Sequence, residues 1–199
     1  MALDAVYQAV RRKQPGTSVH VAGGRQLFSQ VIHAPDAARR AIGLLEWSGL
    51  LLPRMSILGR VVYPVVTVDR LAHQRRADRG QSPMLDLDVL ETWEWPEAPD
   101  TRAPEVVTVR GVISDSKPWH RALADVTSLS GFCPGAIITE TTAERCELEC
   151  SYYETGLIRA DRLVTPARSG RCVGARRRTL DRWVEESLYR HLIEDGLID

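Results

Sequence analysis

The chain has 199 residues, 44% of them hydrophobic and 26% charged, and its formal charge sums to zero. That length holds one domain or two small ones and supplies enough apolar residues for a buried core. No run of 18 apolar residues occurs, and the N-terminus MALDAVYQAVRRK lacks an apolar core, so neither a membrane-spanning helix nor a signal peptide is expected. The sparse cysteines read as reduced thiols in a cytoplasmic protein.

The zero charge is a cancellation. Residues 1–76 carry 11 Lys and Arg against 4 Asp and Glu, residues 77–155 carry 6 against 15, and residues 156–199 carry 9 against 7. A basic front attracts phosphate and an acidic middle repels it.

In chain order, Leu3–Lys13 reads as a helix with Leu3, Val6, Tyr7 and Val10 on one face, ended by Pro15-Gly16. Thr17–Val21 alternates as a short strand. Leu27, Val31 and Ile32 line a second short helix, and Ala34-Pro35 makes a turn. Residues 36–48 form the next helix, with Asp36 as its cap, Ala38, Ala41, Ile42 and Leu45 on one face, and Gly49 as its stop. A hairpin follows, turning near Gly59-Arg60 between the apolar runs Met55–Leu58 and Val61–Val68. The polar run Asp69–Arg79 extends a helix or begins a linker.

Residues 77–104 read as an acidic, proline-rich linker with one strand at Leu85–Leu90. On a strand, Trp93 and Trp95 would share a face. Glu105–Ile113 is a β-branched strand and Lys117–Leu129 a helix, with Pro118 in its first turn. Gly135–Thr139, Cys146–Tyr153 and Gly156–Val164 read as strands. Arg177–Glu194 is an amphipathic helix with Leu180, Trp183, Val184, Leu188 and Leu192 on its apolar stripe. The fold class is therefore α+β. A winged-helix-like domain over 1–76 is joined by the linker to an α+β domain over 105–199, whose sheet is mixed or antiparallel, with antiparallel pairing favoured.

The segment 27–51 resembles the winged helix-turn-helix of bacterial transcription regulators of the GntR type. Pro35, Arg39-Arg40-Ala41-Ile42, Leu45-Glu46 and Gly49-Leu50 carry the resemblance, which spans about residues 3–68. It implies operator binding, usually as a homodimer, with the rest of the chain pairing subunits or sensing a ligand. A reading helix packs one face on its domain and shows the other to the groove. Arg39 and Arg40 stand near its N-terminal end, Arg54 and Arg60 flank the wing, and Arg25 precedes the second helix. These five arginines are the expected contacts to duplex DNA.

Other chemistry is sparser. Cys133, Cys146, Cys150 and Cys172 are separated by 12, 3 and 21 residues, without the tight pairs of structural zinc. Cys146 and Cys150, read on a strand, would lie about 13 Å apart. No metal or other cofactor is implied, and no paired catalytic motif occurs, so no enzyme is expected. The most catalytic-looking group is Asp115 with Ser114, Ser116 and His120. Its competing reading, favoured here, is a helix cap by Asp115 or Ser116. Residues 104–129 are also similar to a segment of phage tail-assembly proteins, which implies the alternative of a structural or interaction protein that touches no DNA.

Overall fold

The computed structural model describes residues 36–95, 102–167 and 179–198. The expected helices and strand before residue 36, together with Arg25 and Cys172, lie outside them. Among the described residues six helices and seven strands form an α+β fold around one mixed sheet.

Helix α1 spans Asp36–Leu44. Alanine and arginine favour the helix, and Ala38 and Ala41 bury one side of it completely. It ends earlier than residue 48. Glu46 takes a positive φ of 54°, and the N–H of Trp47 donates to the carbonyl of Ile42 at 3.1 Å while that of Glu46 donates to Gly43 at 3.2 Å. This is a Schellman closure built on a non-glycine residue. Gly49 is therefore not the stop. It serves a close approach instead, because a Cβ there would meet the carbonyl oxygen of Val66 at 2.6 Å.

Strands β1 (Leu50–Leu51) and β2 (Met55–Ile57) pair antiparallel with successive parts of β3 (Arg60–Val68). Ile57 opposes Arg60, so the hairpin turns through Leu58-Gly59, both at positive φ. That geometry matches the right-handed twist of the flanking strands. Strand β3 does not end as an isolated wing. It pairs antiparallel along Tyr63–Val68 with β4 (Val107–Ser114), so residues from the basic front and from the second half share one sheet.

Between β3 and β4 lie two helices. The polar run after Val68 is α2 (Arg70–Asp78), capped by the Asp69 carboxylate on the Ala72 N–H at 2.9 Å. The expected strand at Leu85–Leu90 is instead helix α3 (Leu87–Thr92), capped by Asp86, with Leu87 and Leu90 buried. Trp93 and Trp95 consequently do not share a strand face. Trp93 is buried in the α3 cluster and Trp95 is exposed.

After β4 the chain alternates: α4 (Trp119–Thr127), β5 (Gly135–Ile138), α5 (Glu144–Tyr152) and β6 (Gly156–Arg159). Strands β4, β5 and β6 run parallel, which corrects the antiparallel preference. Strand β7 (Arg162–Thr165) returns antiparallel on β6, so the expected single strand at 156–164 is a hairpin. The expected strand Cys146–Tyr153 is helix α5.

One face of the sheet, with Tyr63, Val65, Ile113, Ala136 and Ile158, is covered by Ala38 and Ala41 of α1. The other, with Val62, Val66, Val112, Ile137 and Leu157, packs on α4, α5 and α6 (Thr179–Glu194). Leu180, Val184, Leu188 and Leu192 of α6 are buried, as its periodicity predicts. Below α6 lies a buried ionic group. Arg76 is fully buried and holds Glu186 through two bonds of 2.8 and 3.0 Å. Glu186 also accepts from Met84 N–H at 2.9 Å and lies 3.2 Å from Arg182.

Candidate functional site

The parallel run fixes where chemistry can gather. The carboxyl ends of β4, β5 and β6 point one way, and antiparallel β3 begins at that same end. The β2–β3 turn, the β4–α4 connection and the β6–β7 turn therefore share one edge of the sheet. In open sheets with parallel strands such an edge is the usual place for a ligand.

Seven polar side chains meet there. The Tyr63 hydroxyl donates to Asp115 Oδ2 at 3.1 Å. Ser114 Oγ donates to Ser116 Oγ at 3.2 Å, and Ser116 Oγ donates to Asp125 Oδ2 at 3.0 Å. Arg54 Nη2 stands 3.5 Å from Ser116 Oγ and 3.6 Å from Asp115 Oδ1. Arg60 Nη1 is 3.9 Å from Asp125 Oδ1. Ser114, Ser116 and Asp125 are buried, while Arg54 and Arg60 are about half exposed. Burial, with the neighbouring Asp115 charge and hydrogen bond, pushes the Tyr63 phenol up to about 12, against a smaller opposite pull from Arg54.

The expected capping role of Asp115 or Ser116 is not what these residues do. Pro118 occupies the cap position of α4 with no side-chain cap bond, following a cis Lys117–Pro118 peptide. His120 is exposed and stacks on its neighbour Trp119 at 3.6 Å between ring centroids. No hydrogen bond joins it to Ser116 among the described residues. The serine hydroxyl is directed to Asp125, a carboxylate already facing Arg60.

Four of the five arginines expected at DNA are among the described residues, and they fall into two groups. Arg39 and Arg40 are exposed on α1, opposite the buried Ala38 and Ala41. Arg40 Nε donates to Asp161 in the β6–β7 turn at 2.8 Å. Arg54 and Arg60 stand at the β3 end. Three strand spacings separate β3 from β6, roughly 14 Å. The basic front thus meets the acidic middle inside the fold, Arg54 against Asp115 and Arg60 against Asp125, and part of the sequence's charge asymmetry is internal pairing.

Sequence reasoning missed Tyr63, Asp125 and Asp161. Asp125 carried a signal: it lies among Ala122, Leu123 and Val126, an acid on an otherwise apolar helix face. A buried acid there needs a partner.

Cys133, Cys146 and Cys150 are buried free thiols. Because α5 is a helix, Cys146 and Cys150 lie one turn apart on its inner side rather than about 13 Å apart along a strand. Burial first of all raises the pKa of each, to about 12 for Cys133 and Cys150. Among the described residues, no three His, Cys, Asp or Glu side chains are placed to hold a metal ion, and no helix is long and apolar enough to cross a membrane.

Comparison by family model, by sequence with curated proteins and by fold with solved structures finds no match for this chain.

Proposed function

We propose that this chain binds duplex DNA through α1 and the carboxyl edge of the sheet, in the manner of a transcription regulator acting as a homodimer. The observation that carries the reading is the placement of four arginines. Arg39 and Arg40 are exposed on the outer side of α1, Arg40 reaches the β6–β7 turn, and Arg54 and Arg60 flank the β2–β3 hairpin at the same end of the sheet.

The carboxylates beside them oppose phosphate without silencing the guanidiniums. The Arg40–Asp161 pair is half exposed, and such pairs contribute only about 0.2–1 kcal/mol. The Arg54 and Arg60 pairs are long, at 3.6 and 3.9 Å, and leave guanidinium donors for an incoming phosphate oxygen.

The test is fluorescence anisotropy of the full chain with a labelled duplex over a series of salt concentrations. Binding should weaken with a log–log slope of about −0.9 per phosphate contacted. Arg39→Ala with Arg40→Ala, and separately Arg54→Ala with Arg60→Ala, should each flatten the slope while the chain stays folded. No binding at about 50 mM salt, or an unchanged slope in both double variants, overturns the reading.

A second reading, a protein-interaction or assembly module, is favoured by one specific observation. Leu148 and Tyr152, one turn apart on α5, are 70% and 80% exposed, and Tyr153 beside them is 51% exposed. A chain that ignores DNA but changes its sedimentation when Leu148→Glu and Tyr152→Glu are introduced would support it.

A further inference from the structure

Neither packing nor backbone conformation explains Gly43. It lies within the last turn of α1 and is exposed, and a Cβ built there would meet nothing within 4 Å among the described residues. The positive φ of this helix end falls on Glu46 instead. A glycine thus stands where any side chain would fit, and a side chain stands where glycine is favoured. A glycine inside a helix costs stability relative to alanine. What remains to favour it is something outside the helix that must come close.

The surroundings of Gly43 say what that is. At about 100° per residue, Gly43 points away from buried Ala38 and Ala41, with Arg39 and Arg40 on either side of it, four and three positions earlier. A helical side chain covers the turn before its own Cα. The missing side chain therefore leaves bare the surface between the two arginines. Backbone acceptors there are taken: the carbonyls of Ala41, Ile42 and Gly43 accept from the N–H groups of Leu45, Trp47 and Glu46 at 2.9, 3.1 and 3.2 Å. Exposed Asp36 and Glu46 bound the patch at its two ends and repel a phosphate set directly upon it. The patch suits an uncharged C–H surface whose charges lie to either side, which is how a sugar–phosphate backbone is built.

We propose that Gly43 is a close-approach residue of the DNA-binding face, on which a deoxyribose of the duplex rests while Arg39 and Arg40 reach the phosphates beside it. The proposal rests on the DNA reading above and adds to it the point at which the duplex backbone touches α1. Charge alone cannot supply that point, since exposed guanidiniums attract phosphate from any direction.

The experiment sets anisotropy titrations of the full chain with a labelled duplex beside circular dichroism melts of the same samples. Gly43→Ala should raise the melting temperature by about 2–4 °C, as an alanine in open space on a helix does. It should nevertheless weaken duplex binding several-fold. Gly43→Leu adds bulk without charge, and should weaken binding at least tenfold and flatten the log–log salt slope by about 0.9 for each phosphate contact that Arg39 and Arg40 lose. A merely structural role would move stability and binding in the same direction. If the unaltered chain binds duplex with an arginine-dependent slope and Gly43→Leu binds equally well, the proposal is overturned and the DNA reading stands. If the unaltered chain binds no duplex, both are overturned. A lower melting temperature in Gly43→Ala also overturns the proposal, because position 43 would then be packed rather than open.

Discussion

Trp47 rests against the backbone of Gly111. A Cβ built at Gly111 would come within 2.3 Å of Trp47 Cζ3. The contact joins the segment after α1 to the centre of β4, and so ties the helix that carries Arg39 and Arg40 to the strand that ends at the Asp115 cluster.

Gly111→Ala should therefore destabilise the chain by about 1–3 kcal/mol, the usual cost of overpacking. Trp47→Ala alone should also destabilise it, by loss of apolar contact. The two together should cost clearly less than the sum, because the small residue removes the collision. Urea melts of the three variants read this coupling, and simple additivity would show that the ring and the strand do not touch.

Asp161 restrains Arg40. Asp161→Asn should change folding stability by less than about 1 kcal/mol, since the pair is half exposed. It should strengthen duplex DNA binding, and Arg40→Ala placed on top should cancel the gain. Unchanged affinity in Asp161→Asn would mean that Arg40 does not reach phosphate.

Tyr63 sets a limit in alkali. Its phenol titrates near 10 when unfolded and is pushed up to about 12 in the fold. The folded state thus keeps a proton that the unfolded state loses. The contribution is complete below pH 10 and falls away as pH rises from 10 to 12, by up to about 3 kcal/mol. Tyr63→Phe should flatten the decline of stability between pH 10 and 12, although buried Cys133 and Cys150 add a parallel decline from pH 9. An identical pH profile in the variant would show that the phenol is not held neutral.

The Arg76–Glu186 pair should be costly to break from one side. Both side chains are almost fully buried, and Arg76→Met leaves Glu186 with Arg182 at 3.2 Å and Met84 N–H as remaining partners. The expected loss is about 3–5 kcal/mol. Arg76→Met combined with Glu186→Leu should lose less than the two single variants together. A single-variant loss below about 1 kcal/mol would show that the pair is hydrated.

Much of the element order was legible because period and punctuation agreed. Val107–Ser114, α4, α6 and the Leu58-Gly59 hairpin each carry apolar spacing bounded by turn residues. Two elements misled for the same reason. Cys146, Leu148, Cys150 and Tyr152 alternate with polar residues, which reads as a strand. In the helix, Cys146 and Cys150 fall on the inner side and Leu148 and Tyr152 on the outer one, so every second residue changes role. Leu87 and Leu90 likewise satisfy a helix at a spacing of three, once Asp86 caps it. Parallel pairing of β4, β5 and β6 left no local trace, since strand direction depends on crossovers. The site was legible only in halves. Ser114, Asp115 and Ser116 are contiguous, but Tyr63 and Arg54 reach them from more than fifty positions away and Arg40 meets Asp161 from 121.

The pairing of β3 with β4 also governs how fast this chain can fold. Val68 and Val107 are partners across the ladder although about 40 positions separate them, and that loop costs about 3 kcal/mol in closure entropy before the ladder returns anything. Both crossovers to β5 and β6 then depend on β4 being in place. Helices and the Leu58-Gly59 hairpin can form in microseconds, but the central ladder must wait for a distant encounter, so refolding belongs in the slower range of mixed α/β domains. During that wait the apolar strand residues Val62, Val65 and Val66 are uncovered together. A nascent chain would present them from the time β3 is made until β4 follows, which makes this interval the one in which aggregation competes with folding.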